Sequence, residues 1–255
     1  MIILIAEAKT MEAVEMSYSP QEIAGHRPAG DALASEVMAR IASMEVGDIA
    51  RVVKISSKMA VSLKQMAYEF PNKSLGLRAI EAFTGVVFKH LDFKSLTDSA
   101  KVACKEDVRI VSSLYGYLRA DDIIKPYRLE YTTELAPDDE PMCKALKAEV
   151  TAQLLEELAS RGENEILNLL PADAAKCIDW AEVKKVAKVA KVDFRDTSGE
   201  KISSPHAGKL KAFRGRLLRN ILINNLKSLD QVAAFRSDEM IPAEGATCED
   251  ISFYI

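Results

Sequence analysis

The chain has 255 residues, a formal net charge of −4, and 48% hydrophobic against 28% charged residues. That balance fits a soluble globular protein and excludes a disordered or fibrous one; no run approaches the roughly 18–20 apolar residues that cross a bilayer. Cys104, Cys143, Cys177 and Cys248 are widely spaced without a C-x-x-C pair, which argues against a disulfide framework or zinc knuckle and for a cytoplasmic protein; Cys104 and Cys177, without an activating context, read as buried structural thiols.

The first segment, MIILIAEA, is apolar for only about six residues and reads as a β-strand over 2–6 rather than a signal peptide. Asp31–Met44 carries Leu33, Val37, Ile41 and Met44 at helical spacing, which predicts an amphipathic helix. Asp48–Lys54 and Lys58–Glu69 read as two short helices joined at Ile55-Ser56-Ser57, with Ser56 or Ser57 as N-cap. Leu75–Phe83 is expected to be helical and Gly85–Phe88 extended. Ser95–Glu106 reads as a helix, followed by a strand over Val108–Ser112.

The next residues, Ser112–Glu130 (SSLYGYLRADDIIKPYRLE), crowd Tyr115, Tyr117, Arg119, Tyr127, Arg128 and Glu130 around Gly116 and Pro126. Polar-tipped aromatics and guanidinium groups at a strand end are what a binding site needs. A long helix is predicted over Met142–Arg161, stopped by Gly162, then a strand over Glu165–Leu170 and a short helix after Pro171. Val186–Phe194 and Glu200–Ser204 flank the turn sequence Asp196-Thr197-Ser198-Gly199, which suggests a hairpin. A helix over Ala207–Asn225 and a strand over Asp250–Tyr254 close the chain. Helices and strands intermingle throughout without a linker, so the expected fold is one α/β domain, 1–255, with a mixed central sheet wrapped by helices.

Charge is uneven. Twelve Lys/Arg stand against three acids between Lys184 and Lys227, and no acid lies between Lys201 and Leu229. A basic face that meets phosphate is one reading, and a solvated helix face is the other. In the helix over 207–225, Leu210, Phe213, Leu217 and Ile221 form a core stripe; Lys209, Arg216 and Arg219 flank it on one side, Lys211 and Arg214 on the other. The turn at Ser57-Lys58 suits phosphate gripped at a helix N-terminus, although the glycines usual in such a hairpin are absent. Lys9 and Thr10 follow the first strand, where ligands sit in open α/β sheets. A lysine there holds an anion or, if desolvated, acts as base or nucleophile; a salt-bridged surface lysine is the alternative. His26, His90 and His206 match neither H-E-x-x-H nor E-x-x-H spacing, and no phosphate-loop or dinucleotide fingerprint is present, so neither metal nor cofactor is expected.

Ala8-Lys9-Thr10, Lys58 with Ala60, Ser112–Glu130, Asn168-Leu169 with Lys176, and Arg214-Gly215 with Arg219 together resemble the YaaA-like peroxide-stress protein family of bacteria, in order and spacing over nearly the whole chain. The resemblance implies a cytosolic protein that limits peroxide damage in part by keeping unincorporated iron low. It also implies a helix-hairpin-helix element, here about 46–69, and a basic cleft proposed to bind DNA. The chain departs from the family pattern at Ala6-Glu7, where Ser-Pro is usual, at Ser113 and Ala120, and at Pro171-Ala172-Asp173-Ala174, where Ser-x-Glu-Tyr is usual. The last change favours binding over catalysis.

The leading expectation is therefore a monomeric, membrane-free protein that binds DNA phosphates non-specifically through Lys9, Thr10, Ser57, Lys58, Arg119, Arg128, Lys176, Lys209, Arg214, Arg216 and Arg219. The alternative is an enzyme for a small phosphorylated or carboxylated substrate, with Lys9 as anion holder or nucleophile, Tyr115 as acid/base, and Arg128 paired with Glu130 as a clamp.

Overall fold

The computed structural model describes residues 1–12, 16–72, 75–199 and 202–255. Its strands are β1 (Ile2–Ala6), β2 (Met16–Ser17), β3 (Leu75–Arg78), β4 (Val108–Ser112), β5 (Gly116–Arg119), β6 (Ile123–Ile124), β7 (Glu165–Asn168), β8 (Lys188–Arg195), β9 (Ile241–Pro242) and β10 (Asp250–Tyr254). Seven of them form one mixed sheet in the order β5-β4-β1-β7-β8-β10-β9, and β2-β3-β6 form a small second sheet. In the large sheet β4, β1, β7, β8 and β10 run parallel, while β5 and β9 add antiparallel edges. This is the α/β architecture expected from the intermingled elements.

β1 shows why the sheet is covered on both sides. Successive side chains of a strand face opposite ways, and Ile2, Ile3, Leu4 and Ile5 are all buried. A strand apolar at every position is the mark of a parallel sheet sandwiched between helices. The helix Met142–Arg161 packs on β5, and the helix Asp98–Asp107 packs on β4. Gly162 ends the first of these in the left-handed region, φ 63°.

Two predicted helices stand at Val46–Val53 and Ser57–Glu69. Ser56 caps the second by accepting from the Met59 N–H. Lys54 makes the bend at φ 57°, so a lysine takes the left-handed conformation that glycine usually supplies.

Three local expectations are corrected. Residues 75–78 are not helical but form β3, because β2 and β6 pair with them on both edges; only Ala79–Ala82 makes a helical turn. Residues 86–88 are not extended but open the helix Val86–Leu91, which packs against the helix Ala207–Ile223. The expected hairpin after β8 is reduced to one bridge, Asp196 to Ser203, with 200–201 outside the described residues.

The contact between helices Val86–Leu91 and Ala207–Ile223 depends on Gly215. A Cβ there would lie 2.3 Å from the Val87 carbonyl oxygen, so any larger residue would push the helices apart. That close approach sets the next residue back, Arg214, at the head of the sheet.

Candidate functional site

Parallel strands in an open sheet leave a crevice beyond their carboxyl ends. Here β1 ends at Ala6 and β7 at Asn168, and the chain leaving them borders a cavity of about 280 Å³. Glu7, Lys9 and Thr10 come from the segment after β1; Glu130 and Tyr131 from the loop before the long helix; Pro171 and Asp173 from the loop after β7. The helix Ala207–Ile223 contributes Lys211 and Arg214, and the first turn of Val86–Leu91 closes one wall. Aliphatic and aromatic surface from Ile5, Phe88, Leu129 and Leu169 makes up much of the remainder.

Glu7 is held by the hairpin between β4 and β5. Its Oε2 accepts the Ser113 N–H at 3.0 Å and the Tyr127 hydroxyl. The Ser112 hydroxyl lies 2.7 Å from that of Tyr127 and accepts the Leu114 and Tyr115 N–H groups at 3.1 and 2.9 Å. Gly116, at φ 73°, lets the hairpin turn tightly enough for this. Burial pushes the Glu7 carboxyl up to about 7, and the donors from Ser113, Tyr127 and Ser112 oppose that shift without cancelling it. The residue keeps some surface toward the cavity, yet protein surrounds its carboxyl, so the desolvation is real. No cation reaches Glu7 within salt-bridge distance among the described residues. The Ser113 hydroxyl is buried and lacks a hydrogen bond of ordinary geometry, although it lies near enough to favour the ionised carboxyl.

Arg214 is the cationic counterpart. Its Nε is buried and has no hydrogen-bond partner among the described residues. Burial lowers the affinity of the guanidinium for its proton, and Asp173 works in the opposite direction. A buried donor on a charged group costs free energy until something accepts from it. A planar guanidinium in such a place can donate to the oxygens of an anion.

The other sequence candidates divide into groups. Lys9 and Thr10 lie at the cavity mouth, and Lys9 is 60% exposed and bonded to Glu130 at 2.6 Å. Lys9 therefore lacks the desolvation that base or nucleophile chemistry requires. The expected pairing of Arg128 with Glu130 is replaced: Glu130 takes Lys9, and Arg128 donates to the Lys9 carbonyl at 3.0 Å. Tyr115 is buried away from the cavity, and its hydroxyl accepts the Lys125 N–H at 3.0 Å. Arg119 is bound to Asp122 and the Gly25 carbonyl on the sheet edge. Lys209 pairs with Asp196 at 2.7 Å and Arg216 with Glu239 at 2.7 Å, while Arg219 caps the carbonyls of Leu91 and Asp92. Ser57, Lys58 and Lys176 are exposed and outside the cavity. These cations thus do not converge; Lys9 and Arg214 share the cavity and the rest lie outside it.

Sequence reasoning passed over Glu7, Tyr131 and Lys211 as site residues. A signal existed for Glu7: an acid placed directly after a fully apolar parallel strand is forced to the strand's carboxyl end. Tyr131 donates to the Val111 carbonyl at 2.8 Å and so ties the cavity floor to β4.

The model of the family described as "Peroxide stress protein YaaA" matches residues 1–241. A UPF0246 protein of Parabacteroides distasonis is 29% identical over 92% of this chain and 91% of its own length. UPF0246 proteins of Rickettsia rickettsii and Aliivibrio fischeri are 27% and 30% identical, covering 89% and 75% of this chain and 87% and 74% of theirs. With that model matched over residues 1–241, the chain belongs to the peroxide stress protein YaaA family.

Proposed function

We propose that the chain serves peroxide-stress protection by binding a small anion, phosphorylated or carboxylated, in the cavity beyond β1 and β7. The observation that carries this reading is Arg214, which lines a cavity of about 280 Å³ and whose buried Nε has no hydrogen-bond partner among the described residues. That volume suits a metabolite-sized acid, and a duplex could reach no further than its mouth. Ligand that binds only the folded state raises the unfolding temperature. Inorganic phosphate and small phosphomonoesters are therefore expected to stabilise the wild type and not Arg214→Met. Equal stabilisation of both, or none of either, overturns the reading.

Non-specific DNA binding is the second reading, and one feature favours it. A groove of about 270 Å³ runs between Lys9, Thr10 and Arg128 on one side and Met59 and Ser62 of the helix Ser57–Glu69 on the other. Exposed Lys58 precedes Met59 at the start of that helix. Phosphate contacts would make the logarithm of duplex affinity fall linearly with the logarithm of salt, and each lost contact would reduce the slope by about one. Lys58→Met and Arg128→Met are the variants to compare; a duplex affinity indifferent to salt contradicts this reading. Limiting iron-driven damage is the cellular outcome attached to the first reading. It is tested by unincorporated iron and DNA breaks in peroxide-treated cells carrying wild-type or Arg214→Met protein, and equal values contradict it.

A further inference from the structure

Glu7, directly after β1, accepts the N–H of Ser113, directly after β4. The pair makes this chain's cavity chemically different from one that only holds an anion. The hydrogen-bond chain fixes how. The Ser112 oxygen already accepts two backbone N–H groups, so its one hydrogen is left for the Tyr127 oxygen. Tyr127 must then give its own hydrogen to Oε2 of Glu7. Burial and the neighbouring carboxylate raise the Tyr127 phenol far above its ordinary range, so it stays protonated.

Oε2 is thereby occupied by two donors, the Tyr127 hydroxyl and the Ser113 N–H. A protonated Glu7 cannot pass its hydrogen into this chain, because every acceptor along it is taken. With Oε2 so occupied its proton rides on Oε1; Glu7 lines the cavity, and the one further group beside the carboxyl is the Ser113 hydroxyl, which lacks a partner of ordinary geometry.

We propose that Glu7 exchanges a proton through Oε1 with the ligand held at Arg214, which identifies the ligand class as a small acid carrying a second group with an O–H or N–H. The inference rests on the anion-binding reading above. In its ionised form Glu7 takes the proton while the bonding electron pair stays on the ligand's heteroatom; in its protonated form it returns it. Tyr127 and Ser112 are positioning residues that hold Oε2. The free carboxyl's balance point, about 7, leaves both forms populated near neutral pH.

The other charged groups do not duplicate this role. Asp173 faces the cavity from the loop after β7, Arg214 and Lys211 from the helix Ala207–Ile223, and Lys9 with Glu130 closes the mouth as an ion pair. Cys177 lies close enough for its ionisation to feel Glu7, but burial pushes that thiol far upward, so it keeps its proton.

Sulfate is the probe, since it neither gains nor loses protons near neutral pH. Calorimetry in buffers of different ionisation enthalpy counts protons taken up on binding. An anion placed beside Glu7 favours its protonated form, so the wild type is expected to take up a fraction of one proton per sulfate between pH 7 and 8. Its affinity is expected to fall by up to about tenfold per pH unit above 7. Glu7→Gln is expected to bind sulfate without proton uptake and with a flat pH profile. Equal uptake in wild type and Glu7→Gln overturns the Glu7 assignment while leaving the anion site intact. Absence of sulfate binding to the wild type overturns the anion site itself, and this inference with it. Should Glu7→Gln not fold, the infrared carbonyl band of a protonated carboxyl decides in the wild type and Tyr127→Phe. The band is expected to titrate near pH 7 and to move upward in pH when the Tyr127 donor is lost; an unmoved midpoint overturns the assignment.

Discussion

Glu157 and Glu7 are both carboxylates drawn away from bulk water, and their surroundings drive them in opposite directions. Glu157, on the helix Met142–Arg161, meets the Arg109 guanidinium side-on, with Nε on Oε2 at 2.8 Å and Nη2 on Oε1. Tyr117 adds its hydroxyl at 2.7 Å and Arg161 its Nη1 at 3.0 Å. Burial would raise this carboxyl, but Arg109, Tyr117 and Arg161 outweigh it and leave Glu157 below its ordinary range. Glu7 also has a tyrosine and further donors, yet no guanidinium, and burial wins. Arg214, the cation that could balance it, lines the same cavity without a salt bridge to it. One cluster is closed and holds β4, β5 and the long helix together. The other leaves Glu7 and Arg214 unpaired, among the described residues, on the wall of one cavity.

Breaking the closed cluster should have the largest effect. Removing one partner of a buried ion pair strands the other, so Glu157→Ala is expected to lower unfolding free energy by about 3–5 kcal/mol, read from urea denaturation. A loss within experimental error would mean that the cluster is not buried as described.

The open site gives a pH signature of opposite sign. A carboxyl whose folded value is raised binds its proton more tightly folded than unfolded. Glu7 therefore contributes stability below its unfolded value and loses it as pH rises toward about 7. Glu157, held low, contributes above its unfolded value and loses that contribution only as the solution becomes acid. Glu7→Gln should consequently gain on the wild type between pH 5 and 8, by up to about 3 kcal/mol in unfolding free energy. A constant difference between the two proteins over that range contradicts the assignment.

Gly215→Ala probes the contact that sets Arg214 in place. The added methyl meets the Val87 carbonyl at 2.3 Å, and overpacking of this kind costs about 1–3 kcal/mol. Phosphate stabilisation should weaken in the same variant, because the helix carrying Arg214 must move away from the cavity; undiminished stabilisation would detach Arg214 from that contact. Smallest of all is the mouth. Lys9 and Glu130 are 60% and 47% exposed, so Lys9→Met should change stability by less than about 1 kcal/mol. A larger loss would show that the pair is structural rather than a boundary of the site.

The sequence reveals some of this and hides the rest for definite reasons. β1, β4, β10 and the helix Met142–Arg161 stand at their expected bounds, since apolar runs and a terminal glycine report directly on burial and helix ends. Residues 75–78 and 86–88 exchange strand for helix because segments this short take the conformation their neighbours impose. β5 was hidden inside Ser112–Glu130, whose tyrosines and arginines look like a site and turn out to be shared between a hairpin and a carboxyl clamp. Lys9, Thr10 and Arg214, which line the cavity, were legible as candidates from strand position and charge. Glu7 was not, because its character comes from Ser113 and Tyr127, 106 and 120 residues further along the chain. Likewise the basic helix does not reveal from its wheel that Lys209, Arg216 and Arg219 are already engaged while Arg214 is not.

Diffraction from crystals soaked in selenate, whose selenium scatters anomalously, tests the central claim most directly. An anomalous peak is predicted inside the cavity, with a selenate oxygen within hydrogen-bond distance of the Arg214 guanidinium in the wild type and no such peak in Arg214→Met. Peaks confined to surface lysines and arginines, with the cavity empty at saturating selenate, would contradict the account.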